Sequence, residues 1–146
     1  LQEIADAFRQ RKDPDTALRL YQAALDISPS DLWPRVRMGE LHEEQGNNTA
    51  ALDAYRAVLA EKPESPVTAG KMQALLLKLQ APPETVLAEW KALAEQHPGA
   101  AVPLYYLAGA LDATGEPGDA GDARRRALEI NPEIENVVSA AISGAP

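Results

Sequence analysis

Cysteine is absent from this 146-residue chain. A zinc ribbon, an iron–sulfur cluster, a disulfide framework and a thiol nucleophile are thereby excluded. Histidine is nearly as scarce, with two residues, and aromatic side chains make up only 5% of the sequence. Basic charge is short as well: 14 Lys and Arg face 22 Asp and Glu, a net charge of −8. So acidic a surface is poorly suited to neutralising phosphates, and nucleic acid is not an expected partner. No apolar run approaches the roughly 18 residues of a membrane span, so direct membrane insertion is not expected. The opening residues mix polar and apolar side chains and do not read as a signal peptide. With 45% apolar and 25% charged residues, the chain is expected to fold as one ordinary domain over 1–146.

Proline, by contrast, is plentiful and regularly placed. Pro29, Pro63, Pro98 and Pro132 are separated by 34, 35 and 34 residues. They close the similar runs YQAALDISP, YRAVLAEKP, WKALAEQHP and RRRALEINP. Pro14, Pro82, Pro83 and Pro117 fall about halfway between these marks. Proline breaks a helix interior but suits a first turn, so the spacing predicts helices of about 11 to 14 residues, two per period. The extra residue of the third period is expected in the loop 80–84.

Within each period the apolar residues follow a helical repeat. Ala51, Leu52, Tyr55, Val58 and Leu59 form one stripe, and Ala17, Leu18, Tyr21, Ala24 and Leu25 repeat its offsets. No stretch shows sustained strand alternation, and Ala and Leu outnumber Val, Ile and Thr. The fold class is all-α. Small residues at Ala5, Ala17, Gly39 and Ala51 let paired helices approach closely, while Tyr21 and Tyr55 fill the space between pairs.

These residues resemble the tetratricopeptide repeat, a 34-residue helix pair with a small residue in each helix, an aromatic and a closing proline. The second period carries the pattern best, through Met38-Gly39, Gly46, Ala51, Tyr55 and Pro63. The first adds Ala5, Phe8, Ala17, Tyr21 and Pro29, and the fourth Ala108, Gly115, Ala120, Ala127 and Pro132. The third is the most degenerate, with Met72 or Gln73 near the small site and Trp90 at the aromatic one. The resemblance implies a right-handed α-α superhelix of antiparallel helix pairs, with repeats near 1–31, 32–65, 66–100 and 101–134. A helix over about 134–143 is expected to cap the open end of the fourth repeat. Arg124 at the aromatic position and Gly121 inside its helix lead to an expectation of looser packing there. Leu1 starts inside the first helix of its repeat, so a longer parent chain is expected, with any targeting signal ahead of Leu1.

Few residues invite a catalytic or metal reading. His42 lies beside Glu43 and Glu44, yet a helical metal site needs a second ligand one turn away, and none is there. His97 precedes Pro98 at a helix end. Gly115–Gly121 has neither the Lys-Ser/Thr ending nor the preceding strand of a phosphate loop and reads as a turn. Asn47-Asn48-Thr49 suits a helix N-cap better than a glycosylation acceptor. Arg124-Arg125-Arg126 has Asp119, Asp122 and Glu129 close by on the same helix and reads as a solvated helix face. No cofactor, metal or catalytic residue is expected.

The family resemblance implies a concave face lined by the first helix of each pair. By position it would present Asp6 and Arg9, then Trp33, Val36, Glu40 and Glu43, and in the fourth repeat Val102, Tyr105, Tyr106 and Asp112. Lys71, Leu75 and Lys78 belong to it under one of two alignments of the third repeat. Trp33 and Tyr105 would be the anchors, since exposed aromatics dominate binding energy, although Trp33 could instead pack on the preceding helix. Members that hold the terminal carboxylate of chaperones use Lys and Asn where this chain has Gln2, Asp6, Val36 and Glu40, which argues against that ligand. The acidic face favours a neutral to basic, partly apolar protein or peptide. The implied function is a non-catalytic scaffold for protein–protein interaction. Alternatives are a spacer or self-assembly module of a bacterial secretion, export or maturation complex, or the regulatory array of an enzyme whose catalytic domain lies elsewhere. Lack of Cys suits the cytoplasm and the bacterial periplasm alike.

Overall fold

The computed structural model describes residues 1–144. Among the described residues there are nine α-helices and no strand: α1 (Gln2–Gln10), α2 (Pro14–Ile27), α3 (Trp33–Glu44), α4 (Asn48–Glu61), α5 (Pro66–Lys78), α6 (Pro83–Gln96), α7 (Ala101–Ala113), α8 (Pro117–Ile130) and α9 (Ile134–Ser143). The first eight form four consecutive pairs. The residues group into two compact units, Leu1–Val58 and a second beginning at Leu59, with the division inside α4.

One turn recurs inside every pair. Lys12, Gly46, Gln80 and Gly115 take left-handed φ values of 61°, 78°, 53° and 80°. Each donates its N–H to the carbonyl three residues back, at 3.0, 3.0, 3.0 and 3.2 Å. The next residue (Asp13, Asn47, Ala81 or Glu116) donates to the carbonyl five back, at 3.0, 2.8, 3.0 and 2.9 Å. This is the Schellman arrangement, which satisfies the last carbonyls of the first helix and reverses the chain. Gly46 and Gly115 adopt it without strain, whereas Lys12 and Gln80 carry a Cβ there. The extra residue of the third period lies between Gln80 and Pro83, so the second helix starts three positions after the left-handed residue instead of two.

A second turn links one pair to the next. Asp31, Ser65, Ala100 and Ile134 donate to Ser28, Lys62, His97 and Asn131, at 3.1, 3.2, 3.0 and 3.1 Å. The four periodic prolines stand second in these turns, where their fixed φ is required. Caps complete the helices that follow. Asp13 accepts from the Thr16 N–H at 3.1 Å and Ser65 from that of Thr68 at 3.4 Å. Helix α7 begins after Ala100, which has no capping group, and the Glu64 carboxylate accepts from the Val102 N–H instead, at 2.8 Å.

In the first unit, Ala5, Ala17, Tyr21 and Leu41 form a buried cluster, backed by Phe8, Leu18, Leu20 and Met38. A Cβ on Gly39 would stand 2.6 Å from Cε1 of Tyr55, so glycine is what lets α3 meet that ring. In the second unit the largest fully buried side chains are Trp90, Met72, Leu75, Leu104 and Ile134, among others. Helix α8 buries Ala120, Ala123 and Ala127 alone, a small apolar contribution.

Helix α9 departs from its expected place. The sequence puts it at the open end of the fourth repeat, but its principal neighbours are α5 and α7, the first helices of the third and fourth pairs. The reason lies in the surfaces on offer. Helix α8 sets Arg124, Arg125 and Glu129 around Leu128 on its exposed side, whereas Gly70 on α5 leaves room beside Tyr106. Ile134 and Val138, one turn apart, are each 1% exposed as a result.

Candidate functional site

Each second helix carries, four residues after its small residue or the valine that replaces it, a side chain that donates across to the first helix. Tyr21 donates to Asp6 and Tyr55 to Glu43, the latter at 3.0 Å. Trp90 Nε1 donates to Gln73 Oε1 at 2.7 Å. Arg124, at the same position of the fourth pair, donates to Asp112 at 2.6 Å. The arginine therefore fills the aromatic position with an ion pair in place of a ring contact. Burial, together with the neighbouring carboxylate, pushes the Tyr21 hydroxyl up to about 12 and the Tyr55 hydroxyl further still.

In the first unit these donors underlie a charged face shared by α1 and α3. Arg9 bridges Glu40, at 2.7 Å, and Glu44, to which its Nε donates at 3.1 Å. Hydrogen bonds that Arg9 donates to Glu44 and Glu40 raise the pKa of its guanidinium and hold it charged. Arg37 reaches Glu40 at 2.9 Å and lies 3.8 Å from Asp6. The same guanidinium sits over the Trp33 ring, 4.5 Å from its centroid. Trp33 is 41% exposed, so one face of the indole is presented to solvent. A cavity of about 330 Å³ opens among Asp6, Arg9, Gln10, Arg37 and Glu44. Asp6, Glu40, Glu43 and Glu44 lie on the same two helices as Arg9 and Arg37.

The second unit presents a different surface. An apolar cleft of about 360 Å³ is floored by Val86, Tyr106 and Ala110 and flanked by Leu77, Tyr105 and Gly109. Gln73, Arg124 and Glu135 supply polar atoms around it. Tyr106 stacks on Trp90 at 4.5 Å between centroids, and Tyr105 meets Tyr106 edge-on at 5.6 Å.

Placement of the expected groove residues is mixed. Trp33 is exposed, and Glu40, Glu43, Lys71 and Tyr105 are half-buried on their helices. Lys78 and Asp112 are exposed, Asp112 being paired to Arg124. Val36 and Tyr106 are core residues, 3% and 8% exposed. They were expected on the groove by repeat position, but Val36 turns toward the hydrophobic interior, and Tyr106 packs on Trp90 at the floor of the cleft. Leu75 and Val102 are buried likewise. Sequence reasoning overlooked Arg37, one helical turn after Trp33, although that spacing alone suits a cation over an indole. It also overlooked Leu77 and Gly109, whose contribution depends on which helix faces them. Among the described residues no group of three or more His, Asp or Glu could hold a metal ion.

Comparison with known proteins decides the family. The sequence model described as tetratricopeptide repeat matches residues 8–79. Over these residues the chain belongs to the tetratricopeptide-repeat family. Solved structures with the same fold include MamA 41-end from Desulfovibrio magneticus RS-1, with 22% identity and a TM-score of 0.55 over 98% of this chain and 85% of that one. A thermophilic tetratricopeptide-repeat protein of Thermus thermophilus aligns with 19% identity and a TM-score of 0.52, covering 98% and 80%. A tetratricopeptide repeat protein from Parabacteroides merdae aligns with 18% identity and a TM-score of 0.57, covering 98% and 57%. No curated protein matches the chain significantly. Repeat proteins of this family typically serve as protein–protein interaction scaffolds and are generally non-catalytic.

Proposed function

We propose that this chain is a non-catalytic scaffold that holds a neutral to basic, partly apolar protein segment on the faces of its first helices. The observation that carries the reading is the Trp33 face of the first unit. An indole 41% exposed lies under Arg37, whose guanidinium in turn reaches Glu40 at 2.9 Å and lies 3.8 Å from Asp6. An apolar side chain of a partner would cover the ring, and a Lys or Arg would be drawn by the acidic groups of the same helices. In the second unit Tyr105, beside an apolar cleft, offers a separate anchor for an apolar side chain.

The test is affinity capture from lysate with the wild type, Trp33→Ala and Tyr105→Ala, with exposed Lys91→Ala as control. Prey held by wild type and control but lost by Trp33→Ala, at an unchanged melting temperature, is the expected result. The same interaction should weaken as salt rises, because rim charges are screened within about 8–10 Å at ordinary ionic strength. Equal capture by all variants would move binding off these faces. Capture of nothing, with mass rising with concentration, would favour a self-assembling spacer.

A further inference from the structure

The hydroxyl of Tyr106 is buried and has no hydrogen-bond partner among the described residues. Its residue is 8% exposed, and Trp90 and Tyr105 hold its ring, so the hydroxyl cannot swing out to water. Buried donors are almost always satisfied, and one left over marks a group awaiting a partner or a stored strain. The polar side chains around the cleft, Gln73, Arg124 and Glu135, make no hydrogen bond to it. A methyl group at Gly70 would lie 3.7 Å from the Tyr106 oxygen and 3.8 Å from Cγ1 of Ile142. Helix α9 is thus seated against this part of the α5–α7 face and offers the hydroxyl no acceptor.

Helix α9 is also lightly held. It has 10 residues and no side-chain N-cap, and helices so short have little stability of their own. Its fully buried anchors are Ile134 and Val138. Val137 and Ala141 are half-buried, and Ile142 is 69% exposed. Beside it, Leu77 of α5 remains 62% exposed along the apolar cleft.

We propose that α9 is an exchangeable occupant of the α5–α7 face, and that this face docks an amphipathic helix of a partner protein carrying aliphatic side chains four residues apart and an oxygen acceptor for the Tyr106 hydroxyl. This rests on the scaffold reading and specifies it for the second unit. Docking follows the helix-in-groove mode, with α9 as a tethered competitor whose high effective concentration excludes weak ligands. A partner that satisfies Tyr106 gains a hydrogen bond that α9 does not make, which is the differential needed to displace it.

The chain has no cysteine, which permits a direct test on the full protein. The probe is a labelled synthetic peptide of residues 132–144. Wild type should bind it weakly, and Val138→Asp, which releases the tethered α9, at least tenfold more tightly. The double variant Gly70→Cys/Ile142→Cys should lose binding when oxidised and regain it when reduced. A probe peptide with Ile142→Gln should bind the released form more tightly than the parent peptide, and Tyr106→Phe should erase that gain. Equal affinity across wild type, released and locked forms overturns the proposal. A dimer of the wild type by light scattering also overturns it, placing a second copy's α9 on the face. Hydrogen exchange of the wild type gives a reading independent of any variant's folding. Amides of α9 should exchange at least tenfold faster than those of α5 and α7, and equal protection overturns the proposal. None of these readouts involves Trp33, so this inference can fail while capture through the first unit stands.

Discussion

At the scale of single residues, glycine answers opposite demands in helices of one chain. On α3, Gly39 lies where a Cβ would meet the Tyr55 ring at 2.6 Å, and that ring is fully buried and tied to Glu43 through its hydroxyl. On α8, Gly121 has open space where a Cβ would stand. Gly39→Ala should therefore destabilise by about 1–3 kcal/mol through overpacking, outweighing alanine's helix propensity. Gly121→Ala should stabilise by about 0.5–1 kcal/mol, because only propensity changes. Denaturant unfolding of both variants checks the pair, and an unshifted midpoint for Gly39→Ala would mean that the ring yields. The small and aromatic residues of the second pair could be read directly from the sequence, because 39 and 55 lie on patterned stripes. Gln73 could not, since its value rests on a Trp90 indole N–H that arrives from another helix.

At the scale of elements, the boundaries were legible wherever backbone chemistry marks them. Proline is the first residue of α2, α5, α6 and α8 and stands second in every turn between pairs. The turns inside pairs were legible only where glycine occurs. Gly46 and Gly115 advertise the left-handed position, while Lys12 and Gln80 occupy it with nothing in their side chains to show it. Replacing either with glycine should relieve the Cβ clash of a left-handed L-residue and stabilise by about 0.5–1 kcal/mol, after allowing for glycine's larger unfolded-state entropy. The reverse changes, Gly46→Ala and Gly115→Ala, should destabilise, and thermal melts of the four variants would show the two signs. Helix α9 shows the limit of periodicity. Its spacing revealed an apolar stripe through Ile134 and Val138 but carried no information on which neighbours would cover it.

At the scale of the whole molecule, tyrosines couple both units to pH. Burial, aided by Asp6, pushes Tyr21 up to about 12, and burial, aided by Tyr105, does the same to Tyr106. Tyr55 is raised as well, by burial and by Glu43. A tyrosine with its folded pKa above its unfolded value of about 10 keeps its proton more firmly when folded. Stability should thus be full below pH about 10 and fall as pH rises from there toward about 12, in each of the two units. Denaturant midpoints measured through that range, with Tyr21→Phe and Tyr106→Phe, check it. Each Phe variant should show a shallower decline than wild type, and an unchanged slope would show that ionisation is not what weakens the fold.

The sequence by itself determined the all-α class, the period and those helix ends that proline or glycine marks. Those follow from properties each residue carries with it: proline's locked φ and missing N–H, glycine's lack of a Cβ, and the angular spacing of apolar side chains on one helix. It also indicated an acidic surface with sparse aromatics, which narrowed the chemistry of any partner. Only the tertiary structure decided which residues face solvent. Val36 and Tyr106 share their helices with Trp33 and Tyr105 yet turn inward, because burial depends on the neighbouring helix as much as on position in the repeat. The stacking of Arg37 on Trp33, the pairing of Arg124 with Asp112 and the seat of α9 on α5 and α7 are likewise properties of proximity. Except for Arg37, one turn from Trp33, these contacts join different helices, so packing and not local preference selects the partner.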